Sequence, residues 1–171
     1  MVGLCIAHQL LKYKPKSKIK IIDKARSLGL HSSGRNSGVL HAGLYYQPDS
    51  LKAKVCVSGA KLLKEWIKER NLPLNQCGKI IVPQREDLDS QLDLLAERGI
   101  KNRAHVEIWN ERQLHEAMPE ARSASGRAIW SPNTVVTKPL KVVERLAEEL
   151  KEKGVIISLN EDRWEAFPEM Q

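Results

Sequence analysis

A helix, a proline, a short apolar strand and an acid follow one another at the start of this chain, and that order restricts the fold more than any other feature. Val2, Leu4, Ile6, Ala7, Leu10 and Leu11 give residues 2–14 the pattern of an amphipathic or fully buried helix. Pro15 ends it. Ile19-Lys-Ile-Ile22 reads as a strand closed by Asp23. Helix, turn and strand with a terminal acid form the second half of a βαβ unit. In a dinucleotide-binding unit, a first strand and a G-x-G-x-x-G turn precede the helix, and an acid about 20 residues on holds ribose hydroxyls. Gly3 stands where the last of those glycines would open the helix and allow close helix–strand packing, and Asp23 stands where the acid would. The first strand and the two leading glycines are not in the sequence. Taken alone, the half-motif fits a solvated turn aspartate equally well.

Behind the strand comes His31-Ser-Ser-Gly-Arg-Asn-Ser-Gly-Val-Leu-His-Ala-Gly-Leu-Tyr-Tyr46. Glycines let a backbone approach a ligand closely and adopt positive φ. Serine and asparagine side chains offer neutral donors, and Arg35 offers a planar cation. A flexible linker would share the glycine and serine but would not carry His41, Tyr45 and Tyr46 directly behind. The stretch therefore reads as a ligand-binding loop rather than an ordered surface turn.

The remaining elements follow from local signals. Ser50 caps a helix over 51–70, whose Leu51, Val55, Gly59, Leu62 and Trp66 share one face. Cys77 to Val82 reads as a strand, and Arg85 to Arg98 as a helix. Val106 to Trp109 is a further strand, and Asn110 caps a short helix ending at Met118. Ala128-Ile-Trp130 and Val135-Val136 are candidate strands. Pro139 opens a helix to residue 153, Gly154 ends it, and Val155 to Ile157 is a strand. The pattern changes near residue 77 and near 137, which predicts three segments. Residues 1–76 form the first part of a nucleotide-binding domain, 77–137 an insertion with its own antiparallel sheet, and 138–171 a return to the first domain. Residues 19–22 and 155–157 are expected in one mostly parallel sheet, flanked by helices 2–14 and 51–70.

Composition excludes several classes. No apolar run approaches the roughly 20 residues of a membrane helix. His8 and Gln9 interrupt the N-terminal apolar run, no basic region precedes it and no small-residue cleavage site follows, so it does not read as a signal peptide. Cytoplasm is the expected location, with a membrane-peripheral position left open for a longer form. Cys5, Cys56 and Cys77 lack zinc-ligand spacing, so no metal site is expected and the thiols read as reduced and mostly buried. The formal charge of +7 accompanies only 5% aromatic residues. A nucleic-acid surface would interleave aromatics with its basic patch, so attraction for small anions is the more economical use of the charge.

The residues Met1-Val-Gly-Leu-Cys-Ile-Ala-His-Gln-Leu-Leu, Ile-Lys-Ile-Ile-Asp-Lys and Asn-Ser-Gly-Val-Leu-His-Ala-Gly-Leu-Tyr-Tyr together resemble the L-2-hydroxyglutarate oxidase/dehydrogenase family. These are FAD-dependent oxidoreductases related to D-amino-acid oxidase. The resemblance continues through Pro48-Asp-Ser-Leu-Lys-Ala-Lys, Cys77-Gly-Lys and the helix 139–153, and covers nearly all of residues 1–160. The block Asn36–Tyr46 is specific to that family or its nearest relatives, whereas the helix–strand portion is shared by many flavoproteins. Three departures stand out. The family's leading strand and glycines and its long C-terminal half are not in the sequence, the tail from Asp162 differs from the family's continuation, and Asp23 replaces the more usual Glu. The fold implied is α/β: an incomplete FAD-binding Rossmann-like domain, a parallel sheet with flanking helices, interrupted by a smaller α+β substrate domain with an antiparallel sheet.

The resemblance implies that Gly3 packs under the FAD pyrophosphate and that Asp23, with Lys24 beside it, binds the adenosine ribose. It implies that Ser33, Gly34, Arg35, Asn36, Ser37 and Gly38 line the flavin, with His41, Ala42 and Gly43 near the isoalloxazine. The activity implied is oxidation of L-2-hydroxyglutarate, or a similar 2-hydroxy acid, to the 2-oxo acid. That reaction removes the hydroxyl proton and a hydride from Cα, and flavin takes the hydride. A histidine suits the proton transfer, which makes His41 the catalytic candidate against a structural histidine bonded to backbone. Arg35 is a candidate for the substrate carboxylate, or holds loop backbone. The electron acceptor is not legible. Two alternatives stay open: a related flavoprotein acting on amines or glycerol 3-phosphate, and a non-catalytic remnant of such an enzyme.

Overall fold

Helix spacing and turn chemistry resolve into two units in the computed structural model, which describes residues 1–161. One unit is Met1–Ser37 together with the chain from Lys138, and the other is Gly38–Thr137. The atypical tail expected from Asp162 onward lies outside the described residues.

In the first unit, α1 (Val2–Tyr13) buries Leu4, Ala7 and Leu11, while Val2, Ile6 and Leu10 remain exposed. The helix is thus amphipathic rather than fully buried. Strand β1 (Lys20–Asp23) pairs in parallel with a strand from the far end of the chain, β8 (Ile156–Leu159), in the register Lys20↔Ile156 to Asp23↔Leu159. The intervening helix α5 (Pro139–Glu152) has proline in its first turn, where no amide partner is lost. Its Val142, Val143, Leu146, Ala147 and Leu150 recur at spacings of three and four and are buried, and the helix packs against α1. Gly154 takes φ 83°, and the Val155 amide returns to the Leu150 carbonyl at 3.0 Å, closing the helix end.

The second unit holds two antiparallel three-stranded sheets. In one, β7 (Val135–Thr137) lies between β2 (Val39–Leu40) and β3 (Leu74–Asn75). In the other, β6 (Ala128–Ser131) lies between β4 (Lys79–Ile81) and β5 (Glu107–Trp109). Ile129 of β6 is fully buried and clusters with Leu44 and Leu92, the latter from helix α3 (Asp89–Lys101). Helix α4 (Glu111–Ala117) opens on a reciprocal capping box between Asn110 and Gln113.

Several expectations are corrected. Residues 38–76 belong with the second unit, because β2 and β3 both pair with β7. The change of pattern near residue 77 therefore marks shorter elements rather than a domain boundary. The second unit is consequently the larger of the two among the described residues, not the smaller. Helix α2 (Leu51–Glu69) stands in that unit, not in the one that holds the parallel sheet. Its buried residues are Ala53 and Ile67, whereas Leu51, Val55 and Leu62 are exposed and a Cβ at Gly59 would meet nothing within 4 Å. Both stripes of the helix carry apolar residues; the one with the small Ala53 permits closer approach and is the one covered. The 85–98 helix begins later, at Asp89, after a single 3₁₀ turn over Glu86–Leu88. Cys5 and Cys77 are exposed rather than buried.

Candidate functional site

The first unit opens a cavity of about 180 Å³ whose lining includes Met1, Gly3, Asp23, Gly29, His31 and Ser33. Chain geometry brings these residues together. β1 ends at Asp23 and α1 begins at Val2, so the C-terminal end of the strand and the N-terminal end of the helix face one space. The first turn of α1 has no side-chain cap and no acidic residue, so its amides retain their capacity to donate to an anion. Asp23 accepts from the Ala25 amide through Oδ1 at 2.8 Å. Its other oxygen has no partner among the described residues. Helix–strand packing does not itself demand glycine at position 3, since a Cβ there would meet Ile21 Cγ2 at 3.8 Å, an ordinary contact.

The loop beyond the cavity is tightly wound on itself. The amides of Gly34 and Arg35 both donate to the His31 carbonyl at 3.1 Å. The Asn36 side chain donates to the carbonyls of Ser32 and Ser33 at 2.9 and 3.3 Å. Gly34 passes so close to Gly29 that a Cβ would overlap the Gly29 carbonyl. Of the residues named from the sequence, Gly3, Asp23 and Ser33 share this cavity; Lys24, Gly34, Arg35, Asn36 and Ser37 are not among its lining residues. Arg35 is exposed and forms no ion pair among the described residues. Gly38, His41, Ala42 and Gly43 belong to the second unit.

There, the segment after β2 carries His41 against a set of fixed partners. Its imidazole meets the Tyr45 ring edge-on, with centroids 5.8 Å apart and planes at 81°. The Cys56 thiol donates to the His41 carbonyl at 3.4 Å. Gly43 takes φ 99° against α2, where a Cβ would stand 2.7 Å from Val57 Cγ2. Asn102 donates to the carbonyls of Gly43 and Tyr46 at 2.9 and 3.0 Å, and Arg98 donates to the Tyr45 carbonyl at 3.3 Å. Lys79 of β4 donates to the Tyr45 hydroxyl and holds its ammonium 4.2 Å from the ring centroid. Burial, and secondarily the Lys79 charge, hold the His41 pKa below its usual value of 6.5. Burial pushes the Cys56 thiol up. Sequence reasoning passed over Lys79 and Asn102. Lys79 had one signal, a cation directly after a glycine at a strand start; Asn102 had none beyond its place at a helix end.

The chain belongs to the DAO family of FAD dependent oxidoreductases, whose family profile matches residues 1–162. Among curated relatives, the mitochondrial L-2-hydroxyglutarate dehydrogenase of Caenorhabditis elegans is 37% identical over 155 residues, covering 90% of this chain and 35% of the relative. That of Homo sapiens is 34% identical over 161 residues, covering 94% and 34%. The chain thus spans about a third of the length of these relatives. Among solved structures, FAD-bound L-alpha-glycerophosphate oxidase from Mycoplasma pneumoniae superposes with a TM-score of 0.81 at 25% identity, over 92% of this chain and 42% of that one. L-proline dehydrogenase from P. horikoshii shares the fold, with a TM-score of 0.78 at 19% identity over 98% and 44% of the two chains. Among the described residues, no helix is long and apolar enough to cross a membrane.

Proposed function

We propose that this chain contributes to a FAD-dependent oxidoreductase that converts L-2-hydroxyglutarate, or a similar 2-hydroxy acid, to the 2-oxo acid. The observation that carries the reading is the shared cavity at the start of α1 and the end of β1, in a chain resembling L-2-hydroxyglutarate dehydrogenases along nine-tenths of its length.

The donor set of that cavity fits part of a dinucleotide. Uncapped helix amides suit a diphosphate, and a carboxylate at a strand end suits ribose hydroxyls. Gly3 and the α1 amides would hold the diphosphate, Asp23 the ribose, and Ser33 would contribute its hydroxyl; Lys24, Gly34 to Gly38, Ala42 and Gly43 are retained as proposed cofactor contacts from the family resemblance. When bound, FAD supplies the two-electron oxidant that turns a carbinol carbon into a carbonyl. His41 accepts the substrate's hydroxyl proton on an imidazole nitrogen. Its lowered pKa keeps it neutral, and able to accept, at neutral pH. Loop bonds from Asn102 keep the backbone around it fixed.

The test is FAD binding by fluorescence quenching and flavin bleaching by L-2-hydroxyglutarate. Asp23→Ala should weaken quenching; His41→Ala should leave it and slow turnover about 100- to 10,000-fold. Turnover unchanged in His41→Ala would assign the proton elsewhere. A second reading, glycerol 3-phosphate as substrate, is favoured by the likeness to glycerophosphate oxidase, and bleaching by that compound in place of the hydroxy acid would establish it. Cell fractionation tests the cytoplasmic or membrane-peripheral location expected above; "mitochondrial" is said of the curated relatives.

A further inference from the structure

Two chemically distinct groups of the second unit are held by one phenol ring. The His41 imidazole meets the Tyr45 ring in a T-shaped contact, with centroids 5.8 Å apart, while the Lys79 ammonium stands 4.2 Å from the ring centroid and donates to its hydroxyl. Tyr45 is itself 41% exposed, so the ring that both groups touch is open to solvent. The arrangement is fixed from several sides. Gly78 adopts φ 66° directly before Lys79, its amide donating to Thr134 at 3.1 Å, and a Cβ at Gly78 would overlap the Trp130 ring. Lys79 then pairs with Ser131 in the β4–β6 ladder. The backbone of Tyr45 is held by Arg98.

An ammonium has three donors and no acceptor, and the Tyr45 hydroxyl accounts for one of the three. Among the described residues no carboxylate pairs with Lys79. Half-buried cations favour an anionic partner, and a charge-assisted bond to carboxylate is stronger than one to a neutral oxygen. In a 2-hydroxy acid the carboxylate is bonded to the carbon that bears the hydroxyl. A carboxylate on Lys79 therefore brings the neighbouring hydroxyl to the ring that His41 also touches. Arg35, the cation suggested by the sequence, is exposed on a loop of the other unit and has no comparable fixing contact.

We infer that Lys79 is the anchor for a carboxylate of the substrate, and that Tyr45 is a positioning residue setting the separation between this anchor and His41. The inference rests on the reading of the substrate as a 2-hydroxy acid and goes beyond it by naming the residues that recognise its charge.

The experiment titrates the full chain, in the presence of FAD, with L-2-hydroxyglutarate, with redox-inert glutarate and with uncharged glutaramide. Ring resonances of His41 and Tyr45 are followed by ¹H–¹³C NMR. Saturable shifts are expected with both acids and not with glutaramide. Lys79→Met should weaken acid binding about 10- to 100-fold, the range expected for one bond to a charged group. Lys79→Arg should restore part of it, and an unchanged amide spectrum identifies variants that fold. Tyr45→Phe should retain acid binding while reducing the accompanying His41 shift. Acid binding undiminished in a folded Lys79→Met variant would overturn the anchor and leave the substrate reading intact. Absence of acid binding in the parent chain would instead overturn the substrate reading, and the anchor with it.

Discussion

Asn102, at the end of α3, donates its side-chain amide to the Gly43 carbonyl at 2.9 Å, tying together positions 59 residues apart. The same amide reaches Tyr46 at 3.0 Å, so one side chain spans the turn that follows His41. Asn102→Ala leaves two carbonyls without this donor and should cost about 1–3 kcal/mol, taking about 0.5–1.5 for each bond. Urea unfolding measures the loss. Asn102→Asp keeps the shape but not the N–H groups and should be no better than alanine.

Gly3 and Gly34 should respond in opposite ways to alanine. A Cβ at Gly34 collides with the Gly29 carbonyl, so Gly34→Ala should destabilise the first unit by about 1–3 kcal/mol. A Cβ at Gly3 meets only Ile21 at 3.8 Å and alanine is the better helix former, so Gly3→Ala should raise the melting temperature slightly. If the α1 amides approach a diphosphate, the Gly3→Ala methyl group intrudes on the ligand and FAD affinity should fall about tenfold or more. Calorimetry of melting and of FAD binding separates the two effects. Equal FAD affinity in Gly3→Ala and parent would remove Gly3 from the proposed site.

His41 should titrate below 6.5 by NMR. Burial is the larger cause and Lys79 the smaller, so Lys79→Gln should raise the midpoint without fully restoring 6.5. Tyr45, Cys56 and Arg98 are further ionisable side chains in contact with this segment. Because the folded value lies below the unfolded one, the contribution to stability is complete above 6.5. It declines as pH falls through 6.5 toward the folded midpoint, since the unfolded chain takes up the proton first. A midpoint above 6.5 would contradict the buried, cation-flanked environment.

Gly78→Ala combines a positive φ with overlap of the Trp130 ring, and Trp130 is itself stacked on Trp109 at 5.0 Å. A loss of about 2 kcal/mol or more is expected from the strained backbone and overpacking together. Near-ultraviolet circular dichroism should register the disturbed tryptophan pair before global unfolding.

What could be read from the sequence was what is specified locally. Ser50 accepts from the Ala53 amide at 3.1 Å, and the Asn110 cap and Gly154 terminus also lie where the residue types indicate, because a cap is decided within one helical turn. The parallel pairing of Lys20–Asp23 with Ile156–Leu159 followed from the helix–strand order. By contrast, β2 and β3 have two residues each, too few to display a period. The covered face of α2 could not be chosen from spacing, since Leu51–Val55–Leu62 and Ala53–Ile67 both repeat at helical intervals. For the site, motif position grouped Gly3 with Asp23, and they line the same cavity. Lys79 and Asn102 reach Tyr45 and Gly43 through tertiary packing, which no window of sequence contains.

The pairing of β1 with β8 has a consequence for biosynthesis. α1 and β1 leave the ribosome ahead of the whole segment Gly38–Thr137, and their partners α5 and β8 emerge only after it. That segment contains all partners of its own sheets and can assemble as it appears, whereas the earlier helix and strand must wait for a long loop to close. During that interval α1, with its Leu4, Ala7 and Leu11, lacks the α5 helix it packs against, so of these two units the one begun earlier is completed later and has the greater need of a chaperone.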